Sequence, residues 1–144
     1  MKAILGPYPE SEEDRLVDIK VDKYDTWNVD HTLSLIALPL LRQLLETQHG
    51  APSVDPEDVP ENLRPSEDEI SHYQETAEVD DKWFERWKWI LGEMIFAHEH
   101  IVSDEWESNY YDEDGFDVEG YKKIADRRQR GLELFGKYYT GLWD

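Results

Sequence analysis

Apolar residues recur at helical spacing in three long stretches of the chain. These stretches cover about residues 28–48, 81–102 and 118–140, and each predicts an α-helix. In the first stretch the apolar positions extend around most of the helical circumference, which predicts a central, buried helix. The predicted core positions of the second stretch are Trp83, Trp87, Ile90 or Leu91, Met94, Ala97 or His98, and Ile101.

The segments before and between these helices carry weaker patterns. Residues 1–14 are interpreted as a mobile lead-in. Residues 15–24 alternate apolar and charged residues imperfectly, which predicts a short edge strand or an extended arm with no evident partner strand. Four prolines make residues 50–65 irregular, and Ser66 begins a capping box that predicts a short helix ending near Glu75.

The economical fold for this pattern is a single domain over residues 1–144. Its class is all-α, a small bundle of three long helices with an N-terminal extended arm and long acidic connections. The second of these connections, residues 104–117, is predicted as a loop with a solvated turn near Gly115.

The charge of the chain is concentrated in two connections. The 144 residues include 34 acidic and 15 basic residues, which gives a formal charge of −19. Residues 50–81 carry eleven acidic residues and one basic residue, and residues 103–119 carry eight acidic residues and no basic one. These two segments therefore hold −18 of the charge, and the rest of the chain is nearly neutral at −1.

Composition excludes several classes of function. The chain has no cysteine, which rules out disulfides and every metal or redox centre built on thiolates. Its acidity disfavours direct binding of nucleic acid, because phosphate recognition needs a basic surface. No apolar run approaches the roughly 20 residues of a membrane span, and the apolar stretch Ala3–Leu5 is too short for a secretory signal. We therefore expect a cytoplasmic protein without a membrane partner.

The entry of the first helix is a candidate metal or binding site. Asp25, Asp30 and His31 offer the carboxylate and imidazole ligands that suit Mn²⁺, Fe²⁺ or Zn²⁺, and Trp27 lies among them. Capping of the helix is the commoner role for such residues and is the alternative interpretation. The sequence therefore allows a divalent metal as a cofactor and does not require one.

The second helix carries Glu93, a candidate general acid or base. One face of this helix carries Trp89, Glu93, Phe96 and His100. Aromatic neighbours desolvate a carboxylate and so prepare it for proton transfer, while Glu99 adds a further candidate metal ligand beside His100. The alternative is an ion pair between Glu93 and Arg127 or Arg128 of the third helix, which is the commoner role for such a carboxylate.

Other catalytic and calcium-binding motifs are absent. The run His98-Glu99-His100 lacks the spacing of a zinc protease. The acidic turn near Gly115 does not fit a calcium loop, because the first and last ligand positions would be Tyr110 and Tyr121. The motifs GxSxG, GxxxxGK[ST] and GxGxxG do not occur.

Three strings resemble a widespread set of small proteins encoded in tailed-bacteriophage genomes. They are DTWNVDHTLSLIALPLLRQLLETQHGAPSVDPEDVPENLR at residues 25–64, RWKWILGEMIFAHE at residues 86–99, and GLELFGKYYTGLWD at residues 131–144. The resemblance implies a phage origin and action in the cytoplasm of the bacterial host, and it carries over no catalytic residue. In this family the end of the second helix commonly reads AFE, so His98 stands in the place of a phenylalanine.

Two functions of different classes follow from these observations. The first is a non-enzymatic acidic protein that binds or inhibits a host or phage protein with a basic surface; the plain alternative is that the acidic residues only keep the chain soluble. The second is a divalent-metal-dependent hydrolase or a nucleotide-binding protein, in which the helix entry, the Asp55–Asp58 loop and Glu93 converge. The candidate binding residues are Trp27, Asp55, Asp58 and Trp89.

A minor virion or assembly component is a third interpretation. The sequence also allows a homo-oligomer, because several aromatic residues lie outside the predicted core stripes. They are Trp106, Tyr110, Tyr111 and Trp143. Of these interpretations we favour the interaction protein.

Overall fold

Four α-helices and two small antiparallel sheets form the described part of the fold. The computed structural model describes residues 1–10, 14–103 and 107–144. The helices are α1 (Val29–Thr47), α2 (Glu67–Thr76), α3 (Trp83–Val102) and α4 (Val118–Lys137). The sheets pair β1 (Lys2–Leu5) with β2 (Val17–Lys20), and β3 (Tyr111–Asp112) with β4 (Gly115–Phe116). Helix dominates and strand is scarce, so the predicted all-α class is confirmed.

Helix α3 lies at the centre of the fold. Its side chains Trp87, Ile90, Leu91 and Met94 have no exposed surface, and both α1 and α4 pack along it. A helix covered by two neighbours needs apolar residues on two sides, and α3 has them. Few contacts join α1 to α4 within the described residues, so the predicted bundle of three helices is not confirmed.

The prediction that the first long helix is the central one is wrong. Helix α1 buries Ser34, Leu38 and Leu41. Apolar side chains on another side of it are open, and Leu33 is 58% exposed while Leu40 is 62% exposed. Apolar periodicity identifies a helix but does not show which of its apolar sides is covered. Helix α1 is therefore peripheral, with a second apolar side that the fold leaves uncovered.

The N-terminal segment forms a hairpin instead of a lone extended arm. Strands β1 and β2 are antiparallel, in a register that places Lys2 opposite Lys20. The strand predicted within residues 15–24 thus has a partner in β1, which is too short to reveal itself by alternation. The ammonium of Met1 donates to the carboxylate of Asp25 at 2.9 Å, and this bond ties the hairpin to the segment before α1.

The capping box predicted at Ser66 is confirmed. The Ser66 hydroxyl accepts a hydrogen bond from the Glu69 amide at 3.2 Å, and the Glu69 carboxylate accepts one from the Ser66 amide at 2.7 Å. Ala77 follows the helix with a φ of 58°, a left-handed C-cap. Tyr73 of α2 packs on Trp83 at the start of α3, with ring centroids 4.7 Å apart.

An aromatic hairpin occupies part of the connection from α3 to α4. Strands β3 and β4 meet at a turn that ends in Gly115, whose φ of +123° favours glycine. Tyr111 packs on Phe116 across the hairpin, with ring centroids 4.9 Å apart, and Phe116 contacts Tyr121 of α4 at 5.2 Å. The turn agrees with the prediction, whereas the two strands replace the predicted loop.

Helices α3 and α4 approach each other closely at Gly131. A Cβ atom at this position would lie 2.4 Å from the carbonyl oxygen of Glu93 and 2.7 Å from the Cβ of Ala97. Only glycine therefore fits between the two helices here. Gly136, on the same helix, has open space where its Cβ would lie.

Gly131→Ala is expected to lower the free energy of unfolding by about 1–3 kcal/mol, because the added methyl group pushes α3 and α4 apart. Gly136→Ala is expected to raise it by about 0.5–1 kcal/mol, since alanine favours the helix and meets no neighbour. Urea unfolding followed by circular dichroism measures both changes. Changes of the same sign and size in the two variants would contradict the close approach.

Candidate functional site

Asp58 is a buried carboxylate surrounded by donors from the end of α4. Its exposed fraction is 6%. One carboxylate oxygen accepts hydrogen bonds from the Tyr138 hydroxyl at 2.6 Å and from Nζ of Lys137 at 2.5 Å. The other oxygen accepts a hydrogen bond from the Arg130 guanidinium. These four residues, here named the Asp58 cluster, join a segment before α2 to the end of α4.

The Asp58 cluster shifts the pKa values of its members. Burial opposes ionisation of Asp58, but the hydrogen bonds from its three partners outweigh burial and hold the pKa of this carboxyl below its ordinary value. The hydrogen bond to Asp58 raises the pKa of Lys137. Burial, together with the same carboxylate, raises the pKa of Tyr138 to about 12. At neutral pH Asp58 is therefore ionised, Lys137 is protonated and Tyr138 is neutral, so two cationic side chains, Lys137 and Arg130, face one carboxylate.

Asp55, the second candidate of this loop, lies at the surface and supports the same connection. Its carboxylate accepts a hydrogen bond from the Glu57 amide at 3.1 Å and thereby caps a 3₁₀ turn over residues 56–58. The same carboxylate binds Nζ of Lys137 at 3.1 Å. The Asp55 amide donates to the Tyr138 hydroxyl at 2.9 Å. The loop is thus held by both its side chains and its backbone.

Further contacts extend this connection toward the C-terminal end of the chain. The His49 amide donates to the carboxylate of Asp144 at 2.5 Å. Gly141 lies so close to Pro52 that an added Cβ would be 3.0 Å from the proline ring. Residues 25–64 and 131–144 therefore pack on each other through these contacts, and the contacting residues have structural roles.

Glu93 forms a bidentate ion pair with Arg127 of α4. Nε and Nη2 of the guanidinium donate to the two carboxylate oxygens at 2.9 and 2.7 Å. The guanidinium also lies over the Phe96 ring, 3.8 Å from its centroid. The hydrogen bonds to Glu93 raise the pKa of Arg127. The ion-pair alternative for Glu93 is confirmed, and both of its oxygens are occupied.

The other candidates on α3 take part in packing and in pairing between helices. Glu99 accepts a hydrogen bond from Arg42 of α1 at 2.6 Å. Burial and the nearby Arg128 lower the pKa of His100. Glu99 and His100 line the same cavity, which has a volume of about 350 Å³. Trp89 packs against the hydrophobic core.

The candidates at the entry of α1 lie apart from these clusters. Asp25 accepts hydrogen bonds from the Asp22 amide at 2.6 Å and from the Met1 ammonium at 2.9 Å, and both lower the pKa of its carboxyl. Asp30 and His31 lie in the first turn of α1. The positive end of the helix dipole stabilises a carboxylate there. The N-cap residue Asn28 makes no side-chain capping hydrogen bond, so the capping alternative is not confirmed, and Asp25 binds the segment before the helix instead.

Several of the aromatic candidates are exposed. Trp27 is 76% exposed and meets Tyr24 edge to face, with ring centroids 5.0 Å apart. Tyr111 is 67% exposed and Trp143 is 51% exposed. Trp106, a further candidate for a self-contact, lies outside the described residues. Trp27 therefore remains available as a binding residue at the entry of α1.

The structure does not bring the candidate ligands together around a metal. Nowhere in residues 1–10, 14–103 and 107–144 do three or more His, Asp or Glu side chains form a group able to hold a metal ion. Asp25, Asp58 and Glu93 each bind a cationic group of the chain itself. The three predicted parts of a metal site therefore do not form one site. They are the entry of α1, the loop of the Asp58 cluster, and Glu93.

Two buried polar pairs have no counterpart in the sequence predictions. Arg86 is 2% exposed; it binds the Asp80 carboxylate and donates to the carbonyl of Leu63 at 3.0 Å. Nδ1 of His98 lies 2.9 Å from the Ser34 hydroxyl, in a buried contact between α3 and α1. In both pairs, the sequence shows a polar residue on the apolar stripe of a helix, which indicates a buried polar contact. It does not identify the residue on the other side of that contact.

Five of the eleven acidic residues of segment 50–81 bind partners within the chain. Asp55, Asp58 and Asp80 bind cations, Glu78 pairs with His72, and Glu69 caps α2. The other acidic residues of this segment are exposed and make no ion pair among the described residues. They are Glu57, Glu61, Glu67, Asp68, Glu75 and Asp81. These six residues, on α2 and on the segments beside it, are here named the α2 acidic surface.

No protein-family model matches the chain, and no curated protein or solved structure is significantly similar to it. Among the helices of the described ranges, none combines the length and the hydrophobicity of a membrane span. Function is therefore inferred from the geometry of the chain itself.

Asp58→Asn is expected to lower the free energy of unfolding by about 2–4 kcal/mol at pH 7, because Arg130 and Lys137 lose a shared buried counter-charge. Asp55→Asn removes a half-exposed partner of the same lysine and should cost about 1 kcal/mol or less.

Because the pKa of Asp58 is lowered on folding, the contribution of Asp58 to the free energy of unfolding is complete above about pH 4. It is lost as the pH falls through the folded-state pKa. Urea unfolding at a series of pH values measures these effects. A cost for Asp58→Asn no larger than that for Asp55→Asn would show that the cluster does not anchor the loop.

His98 is expected to make the fold sensitive to mild acid. Burial lowers the pKa of His98, so the unfolded chain binds the proton more readily and stability falls as the pH drops below about 6.5. The double variant His98→Phe/Ser34→Ala should lose part of this dependence, and the half-buried His100, whose pKa is also lowered by burial, should account for a remaining part. Thermal unfolding between about pH 7 and pH 5 measures the slope. His72→Gln, at an exposed site, is the control, and an identical slope in the double variant and in this control would contradict the assignment.

Proposed function

We propose that the protein is a phage-encoded accessory protein that binds another protein in the cytoplasm of the bacterial host. The partner is a host or phage protein with a basic surface, and the function is binding rather than catalysis. The observation that carries this proposal is the α2 acidic surface, whose six carboxylates are exposed and make no ion pair within the described structure.

The distribution of the basic residues supports the same proposal. Five of them bind carboxylates within the helical frame: Arg42, Arg86, Arg127, Arg130 and Lys137. Three of these pairs neutralise Asp58 and Asp80 of the acidic segment, and none of the five involves the α2 acidic surface. Arg64 and Lys82 lie beside that surface and donate to backbone carbonyls, so acidic residues outnumber basic ones there by six to two. A predominantly acidic surface steers a basic partner toward it and raises the association rate.

The arrangement of the described carboxylates does not support the alternative function, a metal-dependent hydrolase. Asp58 and Glu93, two of the carboxylates offered for it, are bound by cationic side chains of the chain. A virion or assembly component would also act by binding a protein, so one binding experiment addresses that role together with the proposed one.

The triple variant Glu67→Gln/Asp68→Asn/Glu75→Gln is expected to bind the partner about tenfold more weakly than the wild type, because it removes charge from the α2 acidic surface. The partner is first captured from a bacterial lysate at about 0.15 M salt and eluted at higher salt, where screening weakens the attraction. Its affinity for each protein is then measured by biolayer interferometry with the purified partner.

The matched control for this experiment is Glu85→Gln/Glu119→Gln/Asp126→Asn. It removes the same number and types of charge from exposed positions on α3 and α4. This control should change the affinity by less than about threefold. Equal affinities of the two triple variants, or retention of the partner that is insensitive to salt, would contradict the proposed function.

A further inference from the structure

One side of α1 carries an apolar stripe that the described fold leaves open. Val29, Leu33, Ile36 and Leu40, here named the α1 seam, are spaced by four, three and four residues. Their exposed fractions are 46, 58, 38 and 62%, respectively. The residues that α1 buries on its other side are Ser34, Leu38 and Leu41. The helix is therefore apolar both toward the core and toward solvent.

The spacing of the α1 seam is typical of a helix that packs on a second helix. Alternating steps of four and three residues keep apolar side chains on one stripe, as at the contact positions of a coiled coil. The seam covers about three turns and is about 17 Å long at 1.5 Å per residue. A single amphipathic helix has the shape and length to cover a stripe of this kind.

A second copy of the chain fits the seam poorly. Covering four side chains at these exposures removes roughly 250 Å² of apolar surface from water on each copy. A stable complex buries about 800 Å² on each partner. Each copy also carries a formal charge of −19, so self-association adds repulsion between like charges. The seam alone is too small for a stable complex with any partner, so its occupant must contact other surfaces as well. The repulsion between like charges favours an occupant other than a second copy.

The charges of α1 favour a basic occupant. Asp30 stands near one end of the helix and Glu46 near the other, and neither makes an ion pair among the described residues. Arg42, the one Lys or Arg residue of α1, is bound to Glu99 of α3. A helix with basic residues flanking its apolar stripe would meet attraction at both ends of the seam.

We propose that the α1 seam is the docking site for an amphipathic helix of the basic partner. Apolar residues of that helix cover the seam, and its Lys or Arg residues lie near Asp30 and Glu46. Trp27 is 76% exposed at the entry of α1 and extends the apolar contact at this end, while the ring of Tyr24 beside it is covered on one face by the Lys23 ammonium. This inference rests on the proposed function, and it names the surface that supplies the apolar part of the contact.

A synthetic helical peptide of about 18 residues, or five turns, tests the docking directly. It carries leucine at the coiled-coil contact positions and lysine at the others, with a fluorescent label for anisotropy. Leu33→Gln and Leu40→Gln are each expected to weaken its binding about tenfold, because each removes an apolar contact from the seam.

Leu35→Gln is the matched control for these variants. Leu35 lies on the same helix and is 55% exposed, but it stands two residues from Leu33 and so faces another direction. This variant should weaken binding of the peptide by less than about twofold. Circular dichroism and urea unfolding check that every variant keeps the fold, which the exposure of all three positions favours.

Three results would overturn the assignment. The first is equally tight binding of a scrambled peptide of identical composition, which would mean that charge alone attracts the peptide. The second is an equal loss of binding in the Leu35 and Leu33 variants. The third is a dimer in sedimentation equilibrium that Leu33→Gln dissociates, which would assign the seam to a second copy.

The captured partner separates failure of this inference from failure of the proposed function. If substitutions in the α2 acidic surface weaken its binding and those in the α1 seam do not, the proposed function stands and the docking site is wrong. If only the seam substitutions weaken binding, the seam binds the partner and the charge-based proposal is wrong.

Discussion

A buried carboxylate needs partners, and the partners of Asp58 determine how the irregular part of this chain is held. Its donors lie between Arg130 and Tyr138, at the end of α4, so the proline-rich segment 50–65 has to lie along that end. There the carbonyl of Ala51 accepts a hydrogen bond from the indole of Trp83 at 3.0 Å, at the start of α3. One desolvated charge thus orders a segment that has little regular structure of its own.

Ionic contacts between distant elements recur through the frame and decide where the surplus charge appears. Glu93 binds Arg127 between α3 and α4, and Glu99 and Arg42 join α3 to α1. These contacts occupy basic residues of the frame, and six acidic residues on α2 and beside it make no ion pair within the described residues. The residues that hold the loop of the Asp58 cluster are therefore distinct from those of the α2 acidic surface and the α1 seam, which are exposed.

Local features of this chain were predictable from sequence, and pairings between distant residues were not. Helical spacing located α1, α3 and α4 to within a few residues, and the capping box located the start of α2. The base that binds Glu93 was narrowed to two adjacent arginines, because α4 was expected beside α3. The partners of Asp58 are 72 to 80 residues away, and no spacing rule connects them. Periodicity likewise cannot show that α3 is covered on two sides and α1 on one.

Native-state hydrogen exchange measured by NMR tests most directly whether the Asp58 cluster makes the irregular segment part of the cooperative core. The amide of Asp58 donates to the carbonyl of Asp55, and the amide of Leu63 donates to the carbonyl of Pro60. Both amides should exchange only with the free energy of global unfolding, as the amides of α3 do. Exchange of these two amides through a local opening of much lower free energy, while α3 stays protected, would contradict the account.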